Sequence, residues 1–236
     1  MKKEFLAELI AARAAKFPTV VVTNLSSGAQ TLWTDHTITG EFDITAILAE
    51  GIERSLRRDK GETIEEGDNR YFLQPHPPPR RMIVVGAVHI AQSLVPMASL
   101  SGYDVTIVDP RQAFATAARF PNVSINHNWP DEAMEALDPD RRTAVVTLTH
   151  DPKLDDPALK VALSSDAFYI GSLGSKRTHA KRVIRLREAG LTEKKLAKIR
   201  APIGLDIGAV SPAEIAISIM GQVTAVLHAP TQRAAA

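Results

Sequence analysis

The residues best suited to chemistry sit in short loops that follow apolar runs. The first is Arg81-Met82-Ile83-Val84-Val85-Gly86-Ala87-Val88-His89-Ile90-Ala91. An apolar run enters a glycine and then a helix-type segment, the position of the phosphate-cradling turn G-x-G-x-x-G/A. Gly86 supplies the tight turn, and Ala91 the small residue for close helix–strand packing. The middle position is Val88, whose side chain stands where a glycine would let a pyrophosphate approach the backbone. His89, in the first turn of the following helix, is placed to donate to a phosphate or to move a proton; the bland alternative is a histidine that caps or packs. Asp109 closes the next apolar run, about 20 residues on, where an acid binds a ribose hydroxyl. Arg111 would then lie near a phosphate. The alternative for Asp109-Pro110-Arg111 is a turn with a solvated arginine.

Three further loops carry polar groups of the same kind. Thr149-His150-Asp151 follows an apolar run, and ligands of open α/β sheets sit just outside the carboxyl ends of strands. His150 there suits a general acid/base or a ligand clamp, with Asp151 to orient it. One His–Asp pair falls short of the three or four ligands a metal needs, so no metal site is expected. Gly171-Ser172-Leu173-Gly174-Ser175-Lys176-Arg177 opens a helix with glycines, serines and cations, a combination that suits an oxyanion. Its spacing is not that of an ATPase phosphate loop. Lys181, Arg182, Arg185 and Arg187 continue the positive charge along what reads as a solvated helix face or a docking surface. In Pro202-Ile203-Gly204-Leu205-Asp206-Ile207-Gly208-Ala209, Gly204 and Gly208 flank Asp206, which either contacts a ligand or stabilises a turn.

The elements that must position these loops are legible as alternation. Strand-like runs are Met82–Val85, Val105–Val108, Val123–Ile125, Ala144–Leu148 and Ala167–Ile170, with helical stretches at about 88–100, 111–119, 130–137 and 156–164 between them. The runs are continuously apolar, as strands buried on both faces of a parallel sheet are. The pattern predicts a Rossmann-like, doubly wound α/β domain over residues 82–236. Helices at 175–189 and 192–199 follow, then a final helix whose start is marked by Ser211-Pro212-Ala213-Glu214, a capping box with proline in the first turn. Upstream, residues 1–73 read as a small α/β domain: a helix over 3–16, strands at Thr19–Asn24 and Gln30–Thr34, a helix through Ile44, Leu48, Ile52 and Leu56, and a strand at Asn69–Gln74. The proline-rich stretch 74–81 reads as a linker that prevents helix or central strand.

Composition narrows the class. The 236 residues are 44% apolar with a net charge of +1, enough for a core and far from the basic excess of a general nucleic-acid binder. There is no cysteine, which excludes disulfides, thiolate metal sites and a cysteine nucleophile in this chain. Glu4 and Glu8 interrupt the apolar pattern of the N-terminus, against a signal peptide. No stretch has the length of an apolar span. The expectation is a cytoplasmic protein, with a homodimer as the default assembly.

In order, Gly86-Ala87-Val88-His89, Val108-Asp109-Pro110-Arg111, Thr149-His150-Asp151, Gly171-Ser172-Leu173-Gly174-Ser175, Pro202–Ala209 and Pro212-Ala213-Glu214-Ile215-Ala216 resemble the XdhC/CoxI family, the accessory proteins of xanthine dehydrogenase and carbon monoxide dehydrogenase. The resemblance covers the whole C-terminal domain. It implies a chaperone rather than a catalyst: a protein that binds molybdenum cofactor (molybdopterin type), supports its sulfuration and delivers it to a molybdenum hydroxylase. The quoted loops would line the cofactor site. The sequence departs from the family at Val88, where a second glycine is usual. It departs also in a shortened N-terminal part, where Ser26-Ser27-Gly28-Ala29 and Gly40-Glu41 are the remnants that align. Without cysteine, any persulfide must come from a partner such as a cysteine desulfurase. Two other readings stand beside this one. One is an NAD(P)-dependent oxidoreductase with His150 as proton donor. The other is a non-catalytic nucleotide-binding scaffold or sensor that docks through the Lys176–Arg187 helix.

Overall fold

The computed structural model describes residues 3–229; residues 1–2 and 230–236 of the two expected domains lie outside the described part. The chain divides into two compact units, Met1–Pro78 and Pro79–Ala236.

The first unit is a five-stranded antiparallel sheet with a helix on each face. Its elements are α1 (Lys3–Ala14), β1 (Thr19–Asn24), β2 (Gln30–Thr34), β3 (Ile38–Gly40), α2 (Ala46–Arg58), β4 (Glu62–Glu66) and β5 (Asn69–His76), with sheet order β3-β2-β1-β5-β4. The two-residue repeat of a strand sorts the valines of β1. Val20 and Val22 join Leu48 and Ile52 of α2, while Val21 joins Leu9 of α1. The charged β4 and the fully exposed β3 carry no alternation that sequence reasoning would detect.

The expected linker is shorter than 74–81. Strand β5 runs to His76 and the next strand starts at Arg80, so only Pro77–Pro79 lie between. Pro75 is tolerated inside β5 because pairing with β4 stops at Leu73 and only β1 flanks the strand beyond it.

The second unit is a six-stranded parallel sheet. Strands β6 (Arg80–Val85), β7 (Tyr103–Val108), β8 (Ser124–Asn126), β9 (Thr143–Thr147), β10 (Tyr169–Ser172) and β11 (Ile199–Arg200) lie in the order β11-β10-β9-β6-β7-β8. That is the order of a Rossmann sheet, with its switch point between β6 and β9. Alternate residues of β6 serve two cores. Met82 and Val84 pack with α3 (His89–Leu100) and α8 (Pro212–Leu227). Ile83 and Val85 pack with α4 (Pro130–Leu137), α5 (Pro152–Ser164), α6 (Lys176–Glu188) and α7 (Glu193–Leu196). The expected helix at 192–199 stops at Leu196, because Ile199 and Arg200 pair with β10 as an edge strand.

The expected helix at 111–119 does not form. The segment makes two separate turns, closed by Ala115 N–H on the Arg111 carbonyl and Phe120 N–H on the Thr116 carbonyl. The Phe114 carbonyl, which a helix would use internally, accepts from the Arg119 guanidinium. Burial of Ala115 and Phe120 in the sheet core sets this path over local helix preference.

Candidate functional site

The loops singled out in the sequence all leave the carboxyl ends of parallel strands, so one edge of the sheet gathers them. Gly86 follows β6 with φ of +110°, a region that favours glycine. A Cβ there would stand 2.5 Å from Thr149 Cγ2, so the loops after β6 and β9 touch across the switch point. Val88 is the N-cap residue of α3 and makes no side-chain capping bond. Its extended dihedrals (φ −90°, ψ 177°) suit any residue, and its side chain leans partly on the core. Nothing in the conformation therefore requires glycine at that position. The first N–H groups of α3 are left without a side-chain acceptor at the switch point, an arrangement favourable to an anion. His89 is exposed in the first turn.

Asp109 is fully buried and turned inward. Its carboxylate accepts from Ala87 N–H (2.8 Å), Arg111 N–H (2.9 Å), Arg111 Nε (2.9 Å) and Arg111 Nη2 (2.7 Å). Burial works to raise its pKa, but the Arg111 hydrogen bonds and the two backbone donors outweigh it and hold the carboxyl below the usual range. Both oxygens are engaged within the protein. Asp109 thus clamps the Gly86 loop. Arg111, half-exposed, also lies over the Phe114 ring. Arg119, not singled out in the sequence, donates to the Ala87 carbonyl (2.9 Å) and ties the same loop from the other side.

The loop after β9 is held by a residue that sequence reasoning misses. Asp155, on α5, is 1% exposed. It accepts from the Thr149 hydroxyl (2.6 Å) and from His150 N–H (3.1 Å). His150 is thereby fixed at φ of +62°, with its side chain exposed. Asp151 does not orient the imidazole; it caps α5 by accepting from Lys153 N–H (2.9 Å). Burial raises the Asp155 pKa, opposed by the Thr149 hydrogen bond and the Arg182 charge. Arg182 Nη2 lies 3.7 Å from Asp155 and donates to the Leu173 carbonyl at 2.8 Å. A sequence signal exists: Asp155 falls on the apolar face of α5 with Leu159 and Ala162, and Arg182 on that of α6 with Leu186.

In the loop after β10, Ser172 is buried and shares a hydrogen bond with Thr147, so it joins two strands. Ser175 caps α6 through Thr178 N–H. Gly171 packs against Ile203, and a Cβ there would come within 2.5 Å of it. Gly174 takes φ of +136° beside Thr178 and Arg182. In the loop after β11, Gly204 is clamped by Gln222, which accepts from its N–H (3.0 Å) and donates to its carbonyl (2.8 Å). The Gln222 oxygen also takes the Tyr169 hydroxyl (2.6 Å). Asp206 and Gly208 are exposed, and Asp206 makes no hydrogen bond or ion pair among the described residues.

Among the described residues no group of three or more His, Asp or Glu side chains is placed to hold a metal. No described helix is long and apolar enough to cross a membrane. The loops after β6 and β9 meet at the switch point, where Gly86 and Thr149 are in contact, and this edge of the sheet carries the first turn of α3 and the exposed side chains of His89 and His150.

Comparison with known proteins converges on one group. The family model of the XdhC Rossmann domain matches residues 82–223, which contain every loop described above. The molybdenum cofactor insertion chaperone PaoD of Escherichia coli is 32% identical over 149 residues, 63% of this chain and 41% of PaoD. A protein of Bacillus subtilis named as a probable subunit of xanthine dehydrogenase is 29% identical over 153 residues, 64% of this chain and 44% of that protein. The chain thus spans less than half the length of these relatives. A crystal structure from Bacillus halodurans, named as a xanthine dehydrogenase, superposes on 98% of this chain and 66% of its own with a TM-score of 0.72 and 25% identity. The chain belongs to the XdhC family, whose Rossmann domain it carries.

Proposed function

We infer that this protein serves the maturation of a molybdenum hydroxylase by holding molybdenum cofactor at the switch point and passing it to the client enzyme. The observation that carries the reading is that the family match, residues 82–223, contains the loops after β6 and β9 that meet at the switch point, while PaoD, 32% identical over 149 residues, is named as a cofactor insertion chaperone. The residues fit a phosphate-bearing cargo. Gly86 lets the loops after β6 and β9 pack together, since any Cβ would meet Thr149, and the first turn of α3 offers N–H groups without a side-chain acceptor. The cargo would bring the molybdenum and dithiolene sulfurs its client needs. The chain's residues bind and orient it, with His89 and His150 as exposed donors on either side. In a chain without cysteine, sulfuration must draw on a sulfur donor from outside, such as a cysteine desulfurase.

The test is mass spectrometry of small molecules released from the protein purified out of a cofactor-producing host. A pterin at substantial occupancy, lost in Gly86→Ala, is the expected result. A nicotinamide or adenine nucleotide in its place, or normal client activity in a deletion strain, would reject the reading.

A further inference from the structure

The cavity between α5 and α6 has more cations on its walls than carboxylates to match them. It measures about 270 Å³, and its lining includes His150, Asp155, Arg177, Lys181, Arg182 and Arg185. Arg177, Lys181 and Arg185 recur every fourth residue and so share one helix face, where like charges repel. Arg185 is neutralised by Asp156, at 2.6 and 3.1 Å. Arg177 and Lys181 make no salt bridge among the described residues. Arg182 is 2% exposed, yet its Nε and Nη1 have no hydrogen-bond partner. A buried guanidinium with donors unmet is costly unless something supplies acceptors.

We propose that this cavity is an oxyanion pocket for a terminal phosphate group, gripped by Arg177 and Lys181, with Arg182 as its buried countercharge. Phosphate offers the several acceptor oxygens that the arginine forks require. The volume exceeds what a lone phosphate fills, which suits a phosphate monoester at the end of a larger ligand. His150 lines this cavity, and its neighbour Thr149 borders Gly86, so one loop serves both places. The identity of the phosphate's owner rests on the cofactor reading above; the pocket stands on Arg182 and its neighbours.

The experiment is calorimetric titration of the full chain with inorganic phosphate and with glycerol phosphate at constant ionic strength, with chloride as the control. Saturable binding is expected for the wild type. Binding at least tenfold weaker is expected for Arg177→Ala/Lys181→Ala, two exposed positions, with circular dichroism to check that the variant is folded. Lys194→Ala, a lysine on α7, is expected to bind as the wild type does. A tighter monoester assigns the pocket to the end of a larger ligand, and a tighter free ion to inorganic phosphate. Heats indistinguishable from chloride, or a double variant that binds as well as wild type, would overturn the proposal. No pterin enters this titration. Intact phosphate binding without pterin retention would reject the cofactor reading alone, and the converse would reject the pocket alone.

Discussion

Replacing Asp109 by asparagine tests whether the Gly86 loop is held by charge. The wild-type carboxylate accepts four hydrogen bonds while fully buried. Asparagine keeps one acceptor oxygen and turns an NH2 group on donors that cannot receive it. Loss of a charge-assisted hydrogen bond costs about 1.5–3 kcal/mol. Breaking a fully buried pair would cost roughly 3–5 kcal/mol, but the Arg111 side chain is 36% exposed and can turn to water. A destabilisation of about 2 kcal/mol follows, or roughly 4–8 °C in Tm for a chain of this size. The sign with pH is fixed by the depressed folded pKa. The wild-type advantage is complete above the unfolded carboxylate value of about 3.9, and it is lost as pH falls through the lower folded value. Thermal melts of both proteins from pH 7 down to pH 2 measure it. A Tm difference within about 1 °C at pH 7, or a gap that fails to narrow below pH 4, would refute the clamp.

Three other outcomes follow from the same geometry. Gly86→Ala combines a positive φ with a contact at 2.5 Å from Thr149; urea unfolding is expected to show a loss of about 1–3 kcal/mol. Gln222→Leu removes both bonds to Gly204 and orphans the Tyr169 hydroxyl. Amide exchange across residues 204–210 should speed up while β6 stays protected, and uniform exchange would contradict a local clamp. Ser211→Ala breaks the capping box of α8; a loss of about 1 kcal/mol in chemical denaturation is expected, and no measurable loss would mean that packing alone starts the helix.

What the sequence makes legible is what period and position control. The parallel order, the glycine turn after β6 and the capped final helix depend on local chemistry that survives folding. Asp109 shows the limit. Its place at the end of β7 is readable, but its direction is not, because Ala87 N–H and Arg111 are brought to it only by the sheet. Asp155 and Arg182 are hidden for a related reason. Each sits on an apolar helix face, and on a helix with so many charged neighbours an inward charge reads as one more solvated one. The 111–119 segment misleads because its helix preference is overruled by burial of Ala115 and Phe120 in the sheet core, a tertiary contact that no local pattern announces.

Both sheets end in strands that make poor templates for another chain. The parallel sheet finishes in β8, of three residues, and β11, of two. The antiparallel sheet finishes in β3, of three residues, and β4, whose Glu62, Glu65 and Glu66 put negative charge along its rim. Short or charged borders discourage edge-to-edge pairing and the aggregation that follows from it. Self-association of this protein is therefore expected to proceed through helix or loop surfaces, with no strand added to either sheet.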